Sequence, residues 1–158
     1  MRKLLTTVAG LALLAGTTLV VSAAEVPATA SAQTSTLRTE LNQRCADVWG
    51  WINSNGSAVV TWDCHSGANQ QWFWDGEFLR NNMAGRCLEV YNGERGSGAP
   101  VNLWDCNGGD HQRWITDNGR IVNKASGKCL DIIDGNQQNG QLLRVWDCHN
   151  GPSQQWRM

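Results

Sequence analysis

The sequence predicts an all-β domain made of three copies of one unit about 42 residues long. Three observations carry this. The tripeptide Gln-x-Trp occurs as Gln70-Gln71-Trp72, Gln112-Arg113-Trp114 and Gln154-Gln155-Trp156, each copy 42 residues from the last. The cysteines keep the same step, in one series of Cys45, Cys87 and Cys129 and a second of Cys64, Cys106 and Cys148. Apolar and polar residues alternate over short runs such as Val101-Asn102-Leu103-Trp104, with Gly, Asn and Asp punctuating the chain and no sustained 3.6-residue period. A unit this short cannot bury a core alone, so three must share one. At four strands per unit, about twelve strands are expected.

The elements follow in order. Arg2 and Lys3 precede an apolar run over 4–21 and the small residues Ser22-Ala23-Ala24. This is the pattern of a secretory signal over 1–24, with an alternative cut after Ala32. A retained membrane anchor is the competing interpretation, although the run is barely long enough to span. Residues 25–35 are rich in Ala, Ser, Thr, Val, Pro and Gln and read as a flexible leader. The domain then covers 36–158, in units of about 36–77, 78–119 and 120–158, enough chain for a core. No later segment is apolar enough to span a membrane, so the mature chain is not expected to insert.

Each unit opens with a short strand whose Leu37, Leu79 or Ile121 faces inward. A turn leads to Cys-x-acid-aliphatic: Cys45-Ala46-Asp47-Val48, Cys87-Leu88-Glu89-Val90 and Cys129-Leu130-Asp131-Ile132. That turn carries Gly85 and Gly127, but Gln43 in the first unit. A loop closed by Gly56, Gly98 or Gly140 leads into Trp-Asp-Cys, and a turn with Gly67, Gly109 or Gly151 ends in Gln-x-Trp. Gln and Trp, as i and i+2 in a strand, would share one face. Trp72, Trp114 and Trp156 are therefore expected to form the threefold core, with each Gln amide bonding backbone where the units meet.

Charge and cysteines narrow the function classes. Without Arg2 and Lys3 the chain holds 11 basic against 14 acidic residues, a net charge of −3. No basic stripe is present to neutralise a phosphate backbone, so nucleic acid is not an expected partner. Six cysteines allow 15 pairings in general. The repeat places two in each unit, 19 apart, so Cys45–Cys64, Cys87–Cys106 and Cys129–Cys148 is the simplest symmetric set. Each such loop would contribute roughly 3 kcal/mol through the unfolded state. This spacing, without Cys-x-x-Cys, does not make a zinc motif even with His65 and His149 beside Cys64 and Cys148. No metal or cofactor is expected.

Together, the Cys-Leu-Asp-Val-like element, Trp-Asp-Cys and Gln-x-Trp, in fixed order and in three copies, resemble the ricin-B-type lectin domain. The resemblance covers all of 36–158. It implies a β-trefoil, a six-stranded barrel capped by three hairpins, that binds galactose-type sugars or xylan-like polysaccharide. Such domains occur alone and joined to secreted glycoside hydrolases. In the family each unit can hold one shallow pocket. The acid accepts hydrogen bonds from sugar hydroxyls, the aromatic before the second cysteine stacks on the ring, and a polar residue past that cysteine reaches a hydroxyl. The Asn before Gln-x-Trp donates, and the Gln steadies the acid.

Carried onto the first unit, these roles fall on Asp47, Trp62, His65, Asn69 and Gln70, which ranks first. The third unit offers Asp131, Trp146, His149 and Gln154, with Ser153 where Asn is expected, and ranks second. The second unit offers Trp104, Asn107 and Gln112 but departs at Glu89 and His111, and is expected to be silent or altered. Asp63, Asp105 and Asp147 are expected to hold turns. Trp49, Trp51 and Trp74 break the threefold pattern, and the first two either extend the first site or cover core. The resemblance implies a secreted, extracellular, monomeric lectin without catalytic residues. A secreted inhibitor or protein-binding trefoil with inactive sugar sites is the alternative. A glycosidase would need two carboxylates set across one bond. Asp47 and Asp63 are the pair to consider, but the same acids recur in every unit.

Overall fold

Each unit closes around one tryptophan in the computed structural model, which describes residues 33–83 and 85–158. Trp72, Trp114 and Trp156 are buried in one shared hydrophobic cluster. Each indole N–H donates to a carbonyl of the acid-bearing strand of its own unit, at Ala46 (2.9 Å), Leu88 (2.9 Å) and Leu130 (3.0 Å). The largest apolar side chain thus enters the core with its polar atom satisfied. The expected signal, and all of the leader before Gln33, lie outside the described residues.

The first unit holds β1 (Ser35–Thr36), β2 (Arg38–Thr39), β3 (Cys45–Val48), β4 (Ser57–Trp62) and β5 (Gln71–Asp75). The second holds β6 (Phe78–Asn81), β7 (Cys87–Val90), β8 (Val101–Trp104) and β9 (Trp114–Asp117). The third holds β10 (Arg120–Asn123), β11 (Cys129–Ile132), β12 (Gln141–Trp146) and β13 (Trp156–Arg157). There are thirteen described strands against the expected twelve because the first is divided: Leu37 is buried between β1 and β2. Ser35 already pairs with Trp72, so pairing begins inside the stretch expected to be leader.

Pairing among these strands is antiparallel. Strand β4 pairs with both β8 and β12, and a bridge from Pro100 to Arg144 closes the ring. One junction recurs three times: Gly56, Gly98 and Gly140 each donate N–H, at 2.8 Å, to Leu103, Val145 and Thr61 of a neighbouring unit. A Cβ on these glycines would stand 3.5–3.9 Å from the Trp104, Trp146 or Trp62 ring. Hairpins β5–β6 and β9–β10 and the pair β13–β2, which joins the first and third units, complete a β-trefoil. Gln43 takes the same left-handed backbone (φ 63°) as Gly85 (68°) and Gly127 (67°), which keeps the three turns alike.

The disulfides are Cys45–Cys64, Cys87–Cys106 and Cys129–Cys148. The expected role of the Gln side chains needs correction. Gln70, Gln112 and Gln154 end 3-10 turns rather than sitting in strands, and each bonds backbone in its own unit. Their Nε2 donates to the Asp63, Asp105 or Asp147 carbonyl at 3.0–3.1 Å, and Oε1 accepts from the amide of His65, Asn107 or His149 at 2.8 Å. A turn that leaves the disulfide has no strand partner there, so a buried side-chain amide must satisfy it. Links between units come instead from Asn81 and Asn123, which donate to the Asn69 (3.1 Å) and His111 (2.9 Å) carbonyls. Asp63 and Asp105 hold Arg44 (3.0 Å) and Arg86 (3.1 Å), and Asp147 holds Lys128 (2.6 Å), all at the surface.

Trp72→Ala is expected to cost about 3–5 kcal/mol in urea unfolding, since it opens a cavity and orphans the Ala46 carbonyl. A loss under about 1 kcal/mol would mean that the tryptophans do not anchor the units.

Candidate functional site

The acid of each unit lies on a strand whose register decides what faces it. Asp47 stands opposite Val60, Glu89 opposite Asn102, and Asp131 opposite Arg144. All three acids are at most 5% exposed, so each needs hydrogen-bond partners to stay in place.

In the first unit the partners gather on one oxygen. Asp47 Oδ2 accepts from Gln70 Nε2 at 2.7 Å and Asn69 Nδ2 at 2.9 Å, and His65 Nε2 lies 3.5 Å away. Among the described residues no hydrogen bond reaches Oδ1, and Val60 opposite has no side-chain donor. The Gly67 amide donates to His65 Nδ1 at 3.0 Å, so the neutral imidazole carries its proton on Nε2, toward the acid. Burial holds the Asp47 carboxyl above its usual range, and the bonds from Gln70, Asn69 and His65 offset this only in part.

A cavity of about 270 Å³ opens above this acid, lined by Asp47, Trp49, Trp51, Trp62, His65 and Asn69 together with Gly50. Trp62 is half-buried and meets Trp49 edge-on, with centroids 5.5 Å apart and planes at 62°. Trp51 stacks on the His65 ring at 5.9 Å and 11°. Four of the five residues expected in this unit therefore share one cavity, and Gln70 stands behind the acid.

The second unit exchanges two side chains. Asn107 takes the place of His65 and repeats its turn, accepting from the Gly109 amide at 2.9 Å. His111 takes the place of Asn69 and brings Nε2 to 3.4 Å from Glu89 Oε2. Gln112 Nε2 bonds the same oxygen at 2.9 Å. Burial raises the Glu89 carboxyl, against the lowering effects of Gln112 and His111. The buried Asn102 Oδ1 opposite has no hydrogen-bond partner among the described residues.

The third unit is filled from across the strand pair. Arg144 Nε donates to Asp131 Oδ2 at 3.0 Å, and its guanidinium lies 4.0 Å from the centroid of the Trp146 ring. A second contact runs from Nη1 to Asp134 at 3.4 Å. Ser153 Oγ donates to Asp131 Oδ1 at 2.9 Å, so both carboxylate oxygens are engaged. His149 Nε2 stands 3.9 Å from Oδ1, and among the described residues Gln154 makes no bond to the acid. The four residues expected to serve this site are thus near one another, but Arg144 occupies the space between acid and tryptophan. Arg144 is not among the residues expected at this site from the sequence. Its position is marked in the repeat, two residues before Trp146, where the other units carry Val60 and Asn102.

A family model described as the ricin-type beta-trefoil lectin domain matches residues 33–156. The chain belongs to this family. No curated protein matches it. Among solved structures this ricin-type domain is similar to the designed threefold-symmetric protein ThreeFoil, at 28% identity and a TM-score of 0.74, covering 78% of this chain and 96% of that one. It is similar to the agglutinin of Abrus precatorius at 26% identity and a TM-score of 0.71, covering 85% of this chain and 51% of the agglutinin. The C-half of the earthworm R-type lectin, solved in complex with GalNAc, shares the fold at 22% identity and a TM-score of 0.69, covering 78% of this chain and 95% of that one.

Carboxyl titration by NMR is expected to split into two groups. Asp63, Asp147 and Glu77 are each held below the usual range, foremost by hydrogen bonds from Asn139, Lys128 and Lys124 respectively, whereas Asp47 and Glu89 titrate above it. The unfolded chain ionises at Asp47 and Glu89 first. These two groups therefore favour the fold at low pH and withdraw that support as pH rises through their raised values. An Asp47 midpoint in or below the ordinary aspartate range would show that the acid is not desolvated as described.

Proposed function

We propose that this ricin-type domain is a secreted, non-catalytic carbohydrate-binding module that works through the pocket of its first unit. The observation that carries this is the state of Asp47. Its carboxylate is buried and braced on Oδ2 by Gln70 and Asn69, while Oδ1 has no hydrogen-bond partner among the described residues and shares its pocket with the half-buried Trp62. A sugar presents adjacent hydroxyl donors and an apolar ring face, and this pocket offers a charged acceptor and a flat aromatic in matching positions. Galactose-type sugars and xylan-like chains are the ligand classes that the family suggests. A shallow pocket of this kind binds weakly, near 1 mM or about −4 kcal/mol.

Two further features support the details. Asp63, the second carboxylate that a glycosidase would need, is exposed, bonded to Arg44 and Asn139, and lies outside the lining of the pocket. Secretion is supported by the three disulfides and by the signal-like start of the sequence. The number of working pockets is proposed as one. Arg144 acts as a built-in occupant of the third unit, neutralising Asp131 and lying over the ring of Trp146, which otherwise stays exposed. This demotes Asp131, Trp146, His149 and Gln154 from the second rank given to them on sequence. The second unit keeps an acid but replaces the Asn donor by the His111 imidazole.

A glycan array followed by titration calorimetry tests the proposal. Binding to at least one galactose-type or xylan-like ligand is expected, with one site per chain. Asp47→Ala is expected to lower affinity roughly 10- to 100-fold, the scale of a lost charge-assisted hydrogen bond. Binding by the intact protein is expected to fail on acidification above the usual aspartate range, because protonation of the raised Asp47 carboxyl removes the acceptor. Absence of binding to any glycan, or an unaffected Asp47→Ala variant, would refute this function.

The double substitution Arg144→Val with Ser153→Asn gives the third unit the first unit's residues facing and beside the acid, at the positions of Val60 and Asn69. It is expected to raise the stoichiometry from one to two. An unchanged stoichiometry in a folded variant would show that Arg144 is not what closes that unit.

A further inference from the structure

Three short turns follow the three acid-bearing strands, and each has two successive residues with positive φ. They are Asn92 (51°) and Gly93 (67°) in the second unit, and Asp134 (55°) and Gly135 (59°) in the third. Asn-Gly and Asp-Gly suit such a turn, because Asn and Asp tolerate the left-handed region and Gly carries no Cβ. The first unit reverses the order. It places Gly50 first (62°) and Trp51 second (58°), so the bulkiest side chain stands where its two equivalents are glycine. A left-handed backbone is costly for a residue with a Cβ, and strain of this kind clusters at functional sites, although Gln43 adopts it in a turn as well.

Trp51 does not recover that cost in the core. It is 56% exposed, the most exposed of the large hydrophobic side chains in the described chain. It is nonetheless fixed in place. Its ring stacks on His65, and its Cη2 comes within 2.5 Å of where a Cβ on Gly67 would stand, so only glycine there lets the ring lie down. The His65 imidazole, at 3.5 Å from Asp47, therefore leads directly from the acid to the Trp51 indole. Trp49, 47% exposed, also lines the cavity and meets Trp62 edge-on.

We propose that Trp51 forms a second sugar subsite, so that the first unit reads two or more linked pyranose residues of one chain and not a single sugar. One residue sits on Asp47 and Trp62, and its neighbour lies on the indole of Trp51. The ligand class is an oligosaccharide or a linear polysaccharide stretch. The inference rests on the first pocket being a sugar site.

The test compares chain lengths. Galactose, β-1,3-galactobiose and galactotriose, and separately xylose, xylobiose and xylotriose, are titrated by NMR into the intact protein and into Trp51→Gly. In the intact protein one series is expected to gain about tenfold in affinity from one sugar to two, the effect of taking one modest apolar ring face out of water. In Trp51→Gly that ratio is expected to fall to near one. Its melting temperature is expected to hold or rise, since glycine suits the left-handed turn. A variant that keeps the chain-length gain overturns the subsite, and so does a clear fall in melting temperature, which would assign Trp51 to packing. Equal affinity for one and two sugars in the intact protein overturns the subsite alone. Failure to bind either series at any length overturns the sugar site together with it.

Discussion

A single buried amide ties the fold to the pocket. Gln70 is fully buried, and its two polar atoms are committed in three directions: to the Asp63 carbonyl, to the His65 amide and to the Asp47 carboxylate. The first two bonds hold the turn that leaves the disulfide, and the third aims the acid. The Trp two residues on is locked by its own N–H to the strand that carries that acid. Turn, core and carboxylate thus share one frame, and displacement of any of them would leave a buried polar group unpaired. The same frame is built again around Gln112. Around Gln154 it keeps the turn but lets go of the acid, whose bonds pass to Arg144 and Ser153.

Three nearly equal scaffolds therefore carry three different chemical surfaces. The differences come from few positions. Facing the acid across the strands are Val60, Asn102 and Arg144: an apolar residue that leaves the acid open, an amide with an unpaired oxygen, and a cation that satisfies it. Beside the acid, the pair His65 and Asn69 is inverted as Asn107 and His111. Either order delivers an imidazole to the carboxylate, at 3.5 Å in one unit and 3.4 Å in the other, although the imidazole arrives from opposite ends of the turn. Conserving the backbone while exchanging such side chains changes what a pocket can hold without disturbing the shared core.

Much of this was legible in the sequence because period and spacing encode it. The 42-residue step gave the three units, the disulfide partners and the inward tryptophans, and the resemblance carried the trefoil and the grouping of Asp47, Trp62, His65 and Asn69. What stayed hidden depends on register and dihedral angles. Arg144 departs from Val60 and Asn102 in the repeat, but only the strand register shows that it stands directly opposite Asp131, 13 residues away. The Gln side chains looked like strand residues because i and i+2 suggests one, but they end a 3-10 turn and so face their own loop. The strain at Trp51 is visible only once its φ can be compared with those of Gly93 and Gly135.

With binding confined to one unit, eight of the chain's nine tryptophans carry indole N–H groups that report directly on which unit holds the sugar. The most direct measurement is a proton–nitrogen correlation spectrum of the assigned indoles while a bound oligosaccharide is titrated in. The indoles of Trp49, Trp51 and Trp62 are predicted to move, while those of Trp104 and Trp146 and of the buried Trp72, Trp114 and Trp156 stay in place. Movement of Trp146 comparable to that of Trp62 would contradict the closure by Arg144, and movement of Trp146 alone would contradict the central claim.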